Sequence, residues 1–149
     1  MEIETICKNQ ERKELIQNCA RFYAKTLNLK NSRYNLVIRS TYNLRKNKNS
    51  NGEVYQSGNR SIFMALDSRL SLSQLLLTLA HEMVHVKQIA KGQYKGRLAR
   101  NGRLLACWLG KAVRTEYLKR PWEIEAFGRQ ADLVETLVKY VAKKKKSKG

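Results

Sequence analysis

The chain has 149 residues, of which 42% are hydrophobic, the size and composition of a single modest domain. It carries 30 lysines and arginines but only 12 aspartates and glutamates, for a formal net charge of +18 at pH 7. An excess of this size is far larger than one small-solute site needs. It predicts attraction to a polyanion, and the partner we expect is a nucleic acid bound without sequence preference.

The same sequence excludes several classes of protein. No apolar run approaches the roughly 18 residues of a membrane helix, and acidic Glu2 and Glu4 stand where a signal peptide carries basic residues. The three cysteines form no C-x-x-C pair and are predicted to be free thiols in a reducing compartment. We therefore expect a cytoplasmic monomer that does not associate with membranes.

The first half of the chain predicts a helix followed by strands. Hydrophobic residues recur at three- and four-residue steps over residues 9–28, which is the period of an amphipathic helix. Residues 34–39 are short and roughly alternating and are predicted to form a strand, and residues 60–66 are a further extended candidate. Between them, Asn51-Gly52 ends a basic, asparagine-rich run and predicts a hairpin turn.

A second helix is predicted from residue 71 to about residue 90. Ser71 and Gln74 have the spacing of a capping box, in which each side chain bonds the backbone N–H of the other residue. Gly92 is suited to the end of this helix. Its apolar face is predicted to consist of Leu72, Leu75, Leu76, Leu79, Met83, Val86 and Ala90.

The rest of the chain predicts an irregular segment, a third helix and a tail. Residues 92–120 show no clear period and are expected to hold at most one short strand. Pro121 is well placed as the first residue of a helix that runs to about Ala142. The lysine-rich residues 143–149 are predicted to be a disordered tail. The inward stripe of the third helix is predicted to be Ile124, Phe127, Ala131, Val134, Val138 and Val141.

These elements together predict an α+β fold in one domain, residues 1–142. Its parts are an N-terminal helix, a small and mostly antiparallel sheet, and two further helices. The second of the three helices contains both histidines of the chain, and the third begins with two closely spaced glutamates. The chemistry of the protein is therefore expected where these two helices meet.

The second predicted helix carries the pattern H-E-x-x-H at His81, Glu82 and His85. Residues four apart on a helix share one face, so both imidazoles can reach one ion. The glutamate between them points to the side, where it can take a proton from a water at the ion without replacing that water. The pattern predicts a zinc site with both histidines as ligands and Glu82 as the general base.

The third ligand must be a carboxylate, because the chain has no third histidine and its cysteines are poorly placed. Glu123 and Glu125 stand at the start of the third predicted helix. At about 100° per residue, Glu123 lies close to the predicted inward stripe, whereas Glu125 lies nearly opposite its centre. Glu123 is the predicted ligand. Glu125 is the alternative, although it could instead favour the helix dipole or contact a ligand rather than the ion.

The strings LAHEMVHVKQ (79–88) and PWEIEAF (121–127), with WLGK (108–111) between them, resemble the minimal zincin metallopeptidases, and more narrowly the glutamate-ligand (gluzincin) branch. They are similar to small SprT-like or phage-type metallopeptidases. The resemblance implies a zincin-like fold that binds zinc through His81, His85 and Glu123, with Glu82 as general base. The chain lacks the third histidine expected of SprT-type proteins, and it has Phe127 where many gluzincins have Asp or Asn.

Two further features bear on function. Tyr117 could donate a hydrogen bond to a developing oxyanion, or it could simply pack with its hydroxyl in water. Ten basic residues and one acid lie between Val86 and Trp122, the stretch that joins the two ligand helices. The leading hypothesis is a zinc endopeptidase acting on protein or peptide substrates, including proteins bound to nucleic acid. The alternative is a non-catalytic nucleic-acid-binding protein whose zinc is structural or vestigial. An intact Glu82 favours the enzyme.

Overall fold

The chain folds as an α+β arrangement of helices and two separate sheets. The computed structural model describes residues 1–42, 44, 50–98, 101–102 and 104–148. Within them, the three α-helices are α1 (Gln10–Thr26), α2 (Leu72–Ala90) and α3 (Pro121–Lys148). The strands are β1 (Glu2–Ile6), β2 (Asn35–Thr41), β3 (Gly52–Gly58), β4 (Ser61–Asp67), β5 (Tyr94–Leu98), β6 (Leu104–Trp108) and β7 (Lys111–Ala112). A one-turn 3-10 helix, Tyr117–Lys119, precedes α3.

The main sheet has the strand order β1-β2-β4-β3. The pairs β1–β2 and β2–β4 are parallel, and β3–β4 is antiparallel. The prediction of a mostly antiparallel sheet is therefore wrong for this sheet. It missed β1, which α1 connects to its parallel neighbour β2, and parallel neighbours need such a crossover. In the order β1-β2-β4-β3, strand β3 has a neighbour on one side only and is therefore an edge strand.

The Asn51-Gly52 dipeptide does not form the predicted hairpin turn. Strand β3 begins at Gly52, and the turn into β4 lies instead between Gly58 and Ser61. The preceding residues 45–49 lie outside the described part of the chain.

The second sheet corrects the prediction that residues 92–120 are irregular. It is antiparallel, with the order β5-β6-β7. Asn101 and Gly102 lie between β5 and β6, so the chain's second Asn-Gly dipeptide is the one at a hairpin turn. Leu109 and Gly110, both with positive φ, connect β6 to β7. These turn residues were the sequence feature that could have predicted the second sheet, because its short strands show no regular alternation of apolar residues.

Helix α2 begins and ends as predicted. The Ser71 hydroxyl accepts from the Gln74 N–H at 3.3 Å, and the Gln74 amide oxygen accepts from the Ser71 N–H at 3.1 Å. Gly92, with φ of 70°, follows its last turn. The helix is buried on more sides than predicted, and its buried polar residues include His81, Glu82 and Gln88. It packs against α1, the main sheet and α3, so it lies at the centre of the molecule.

Helix α3 is rotated relative to the prediction. Five of the six residues of the predicted inward stripe are exposed: Ile124, Phe127, Ala131, Val138 and Val141. The buried positions are instead Trp122, Glu123, Ala126, Leu133 and Leu137. Both sets recur at helical spacing, so the period alone cannot tell which one faces the core. The buried face of α3 therefore includes Glu123, the predicted ligand.

The helix also continues through Lys148, six residues beyond the predicted end at Ala142. The prediction of a disordered tail at 143–149 is therefore wrong for residues 143–148, and Gly149 lies outside the described residues. Among the described residues, no helix combines the length and the apolar character that crossing a bilayer requires. The three cysteines are free thiols, as predicted.

Candidate metal centre

The contact between α2 and α3 brings the predicted site residues together. The Gln88 amide on α2 donates to the Trp122 carbonyl at the start of α3 (2.9 Å). Seven residues earlier on α2, His81 bonds Gln130, which is further along α3. The later residue of α2 contacts the earlier residue of α3 and the earlier contacts the later, so the two helices are antiparallel. Glu123 lies between these two contacts and faces both histidines.

Three ligand atoms converge at this contact. His85 Nε2 lies 2.6 Å from Glu123 Oε1, and His81 Nε2 lies 3.3 Å from Glu123 Oε2. The two Nε2 atoms are 3.2 Å apart. The three residues form a group that could hold a metal ion, with ligand atoms all within 4.8 Å of one another. The structure thus brings together the three residues that were predicted as ligands.

Two glutamines determine how the imidazoles are oriented. Gln88 Nε2 donates to the Trp122 carbonyl and to Glu125 Oε1, both at 2.9 Å, so its amide oxygen must face His85 Nδ1, also at 2.9 Å. The Gln130 amide oxygen lies 2.8 Å from His81 Nδ1. A hydrogen on each Nδ1 satisfies both oxygens, which leaves each Nε2 with its lone pair toward Glu123.

This arrangement creates a demand for positive charge at the point where the ligand atoms meet. Two imidazole lone pairs and a carboxylate face one another, and Glu123 Oε2 is buried without a hydrogen-bond partner. Ligands held tetrahedrally at about 2.0–2.1 Å from a zinc ion lie about 3.3 Å from one another. The two Nε2 atoms, 3.2 Å apart, and His81 Nε2 with Glu123 Oε2, 3.3 Å apart, are close to that value, while His85 Nε2 lies nearer, at 2.6 Å, to the other carboxylate oxygen. The donor set therefore fits a zinc-sized cation.

Without a metal, a proton supplies part of the missing charge. Burial lowers the pKa of His85, but its hydrogen bond to Glu123 and the charge of Glu82 outweigh burial and raise the pKa above its ordinary value. Burial raises the pKa of the Glu123 carboxyl, but its close contacts with the His81 and His85 imidazoles outweigh burial and hold the pKa far below its ordinary value. Metal binding must displace this proton.

Glu125 lies behind the ligands rather than among them. Its carboxylate accepts from the Lys87 ammonium, from Gln88 and from Arg129. Burial raises its pKa, but the bonds from Lys87 and Gln88 outweigh burial and lower it. Glu125 does not contact a ligand directly, as one of its predicted roles required: it orients Gln88, and Gln88 orients His85.

Glu82 lies beside the three ligand atoms and does not belong to their group. Its side chain is buried, and burial raises its pKa, while the charges of His85 and His81 act in the opposite direction. Gly52, at the start of β3, packs against it: a Cβ on Gly52 would lie 3.1 Å from Glu82 Cγ and 3.0 Å from Thr78 Cγ2. The edge strand therefore confines the Glu82 side chain.

A cleft passes on both sides of Glu82 and consists of two cavities of about 290 Å³ each. Both are lined by Ser50, Gly52, Glu82 and Tyr117. Burial raises the pKa of Tyr117, and the nearby Glu123 carboxylate acts in the same direction. Tyr117 lines both cavities with its side chain half exposed, which is compatible with either of its two predicted roles.

Comparisons of the chain with protein-family models, with curated proteins and with solved structures give no match. We therefore infer the chemistry of the centre from its own side chains. Sequence reasoning selected His81, Glu82, His85 and Glu123 and missed Gln88 and Gln130. Both glutamines stand at helical spacing from a site residue, three after His85 and seven after Glu123.

Proposed function

We propose that this chain is a zinc-dependent metallopeptidase with a zincin-like fold. The observation that carries the proposal is the convergence of His81, His85 and Glu123, with Glu82 beside them in an open cleft. Two imidazoles and one carboxylate are a ligand set of catalytic zinc, which keeps a further position for water. When bound, zinc lowers the pKa of such a water and polarises a carbonyl group.

The surrounding residues supply the remaining parts of peptide hydrolysis. Glu82 accepts a proton from the attacking water and delivers it to the amine that leaves. Its raised pKa favours such a shuttle, because a carboxyl with a higher proton affinity is a stronger base. The Tyr117 hydroxyl, which lines the same cleft, donates to the oxygen that becomes negative during attack. Gln88 and Gln130 hold the ligands in position.

Strand β3 offers a place for the substrate backbone. It is an edge strand of the main sheet, and its first residues, Gly52, Glu53 and Val54, line the cleft. An edge strand presents backbone N–H and C=O groups that an extended peptide can pair with. A peptide bound in this way passes Glu82, which Gly52 contacts. The cleft therefore suits an extended polypeptide better than a compact small molecule.

The test of this function combines metal content with cleavage. Wild-type protein is expected to hold about one zinc per chain in native mass spectrometry and to cut members of a panel of denatured proteins and peptides. Glu82→Gln should retain zinc and cleave about 10²–10⁴-fold more slowly, because an amide cannot accept the proton. Glu135→Gln, the same change at an exposed position on α3, is the matched control. Equal cleavage by the Glu82→Gln protein would contradict the mechanism.

Nucleic-acid binding is the second candidate function, and the net charge of +18 favours it. Exposed cations occur on the small sheet and on the last turns of α3. In that case the metal would stabilise the α2–α3 contact without catalysis. Retention of zinc with no cleavage by wild type, whether or not DNA is present, would favour this candidate over the peptidase.

A further inference from the structure

One half-buried cation lies inside the cleft, next to the candidate centre. Arg120 lines the cavity that also contains Glu82, His85 and Glu123, and it forms the wall of that cavity together with Tyr94 and Tyr117. Its neighbour Lys119, by contrast, is exposed, and its ammonium lies 4.0 Å from Glu116. The proposed reaction gives Arg120 no role, because its guanidinium does not bond any of the three ligands.

The position of Arg120 is determined by the start of the ligand helix. Its carbonyl accepts from the N–H groups of Glu123 and Ile124, both at 3.0 Å. Its Nε donates to the Thr115 carbonyl at 3.3 Å, and its Cζ lies 5.7 Å from the centre of the Tyr117 ring. Among the described residues, the bond from Nε is the one hydrogen bond that the guanidinium makes. In the described part of the chain, its two terminal nitrogens have no hydrogen-bond partner.

The other residues around Arg120 complete a small polar pocket. Tyr94 packs edge-on against Trp122, with ring centroids 5.0 Å apart, which holds its ring in the cavity wall. Burial raises the pKa of Tyr94, and the charge of Arg120 acts in the opposite direction, as expected for a guanidinium close to the hydroxyl. Glu53 lines the same cavity and has an interaction of its own.

We propose that Arg120 and Tyr94 form a subsite for a carboxylate of the substrate, either a C-terminal carboxylate or the side chain of Asp or Glu. The planar guanidinium presents parallel N–H donors that match the two oxygens of a carboxylate. A cavity of about 290 Å³ is at the small end of ligand sites and suits one residue of a peptide. The substrate class is then acidic peptides or chain ends, whose approach the net positive charge accelerates. This inference rests on the proposed function.

The test measures binding without turnover. Four labelled alanine-based hexapeptides, with or without one central Glu and with or without a C-terminal amide, are titrated into zinc-loaded Glu82→Gln protein at 0.15 M salt. Fluorescence anisotropy gives each Kd. We expect at least one acidic form to bind about 10-fold or more tightly than the uncharged peptide, the gain of a charge-assisted pair. A difference between peptides with and without Glu identifies a side-chain carboxylate as the ligand. A difference between the acid and amide forms identifies the C-terminal carboxylate.

Two substitutions assign this preference to the subsite. Arg120→Gln should abolish the difference between acidic and uncharged peptides, and Arg120→Lys should retain part of it, because lysine keeps the charge without the fork. Lys119→Gln removes the same charge from the exposed neighbour and should retain the preference. Thermal melting checks that each variant is folded. Absence of any preference, or equal loss in Arg120→Gln and Lys119→Gln, would overturn the subsite.

The same titrations separate this inference from the proposed function. They are repeated on zinc-free protein, because the subsite does not include a metal ligand. A carboxylate preference that depends on Arg120, in a protein whose wild type cuts no peptide, supports the subsite and contradicts the peptidase. Cleavage of peptides by wild type without any Arg120-dependent preference supports the peptidase and overturns the subsite.

Discussion

At the level of single side chains, the candidate centre is defined by acceptors that face one another. His81, His85 and Glu123 present lone pairs to a common point, and the buried Oε2 of Glu123 has no hydrogen-bond donor. Buried polar atoms without partners cost about 1–3 kcal/mol, so a positive charge among these groups stabilises the cluster. A bound cation satisfies all three groups at once.

The two glutamates of α3 should differ in their effect on zinc binding. Glu123→Ala removes a ligand and should lower zinc affinity by more than about 100-fold, whereas Glu125→Ala removes a partner of Gln88 and should cost about 10–100-fold. Competition with a chromophoric chelator measures both affinities. A larger loss in Glu125→Ala than in Glu123→Ala would show that the ligand has been misassigned.

The orientation of His85 makes Gln88 a residue to test. Gln88→Met keeps the size of the side chain but removes the acceptor at His85 Nδ1, so zinc affinity should fall about 10–100-fold. Gln10→Met, the same change at an exposed helical position, should leave zinc affinity unchanged.

Nitrogen-15 NMR of the imidazoles in zinc-free protein gives a readout that does not depend on the metal. Loss of the hydrogen bond at His85 Nδ1 should change the signal of that nitrogen in Gln88→Met but not in Gln10→Met. Unchanged zinc affinity and an unchanged His85 signal in Gln88→Met would remove Gln88 from the centre.

At the level of helices and strands, the close approach of β3 to α2 determines where the Glu82 side chain can lie. A Cβ on Gly52 would meet Thr78 Cγ2 at 3.0 Å, Glu82 Cγ at 3.1 Å and Leu66 Cδ2 at 3.2 Å. These atoms belong to two different elements, so no single side chain can move to make room. The absence of a side chain at Gly52 is what allows the edge strand to pass so close to the helix.

Gly52→Ala is therefore expected to displace Glu82 and to destabilise the fold by about 1–3 kcal/mol, the usual cost of overpacking. Cleavage should fall while zinc content is retained. Gly58→Ala is the control at the other end of β3, where the nearest atom would be Ser61 Cβ at 3.4 Å, and it should be close to neutral. Urea unfolding, metal analysis and a cleavage assay measure the three effects. Equal stability of the two variants would contradict the proposed contact.

For the molecule as a whole, the net charge of +18 predicts binding to DNA or RNA with little sequence preference. The affinity should fall steeply with salt, because each phosphate contact contributes about −0.9 to the log–log slope on duplex DNA. The lysines at 143–146 are consecutive on a helix, about 100° apart around its axis, so they cannot all face one duplex. In the small sheet, Lys95 follows Tyr94, which lines the cleft.

Two triple substitutions of equal charge compare these regions. Neutralising Lys95, Lys111 and Arg114 to Gln should weaken DNA binding more than neutralising Lys143, Lys145 and Lys146, with zinc content unchanged in both. Affinities are measured by anisotropy over a series of salt concentrations. Binding that is insensitive to salt, or that is lost only when the α3 lysines change, would contradict a nucleic-acid surface built around the cleft.

Local sequence patterns were sufficient to predict α2 and the histidine pair. The capping box of Ser71 and Gln74 and the spacing of His81 and His85 are interactions within a few residues, so they are visible without knowledge of the fold. Glu123 lies beside the histidines, as its predicted role requires, although the face of α3 used to select it was wrong. The error did not matter for Glu123, because the buried face of α3 includes position 123, which is next to Ile124 of the predicted stripe.

Long-range contacts determined what the sequence pattern could not. The pairing of β1 with β2 and of β2 with β4 joins segments that are separated by a helix or by another strand, and the choice between parallel and antiparallel neighbours leaves no local trace. Burial of apolar groups is non-directional, so the period of α3 was compatible with either of two stripes. Hydrogen bonds have direction, and the two that join these helices, between His81 Nδ1 and the Gln130 oxygen and from the Gln88 amide to the Trp122 carbonyl, are made only when this face of α3 is turned toward α2.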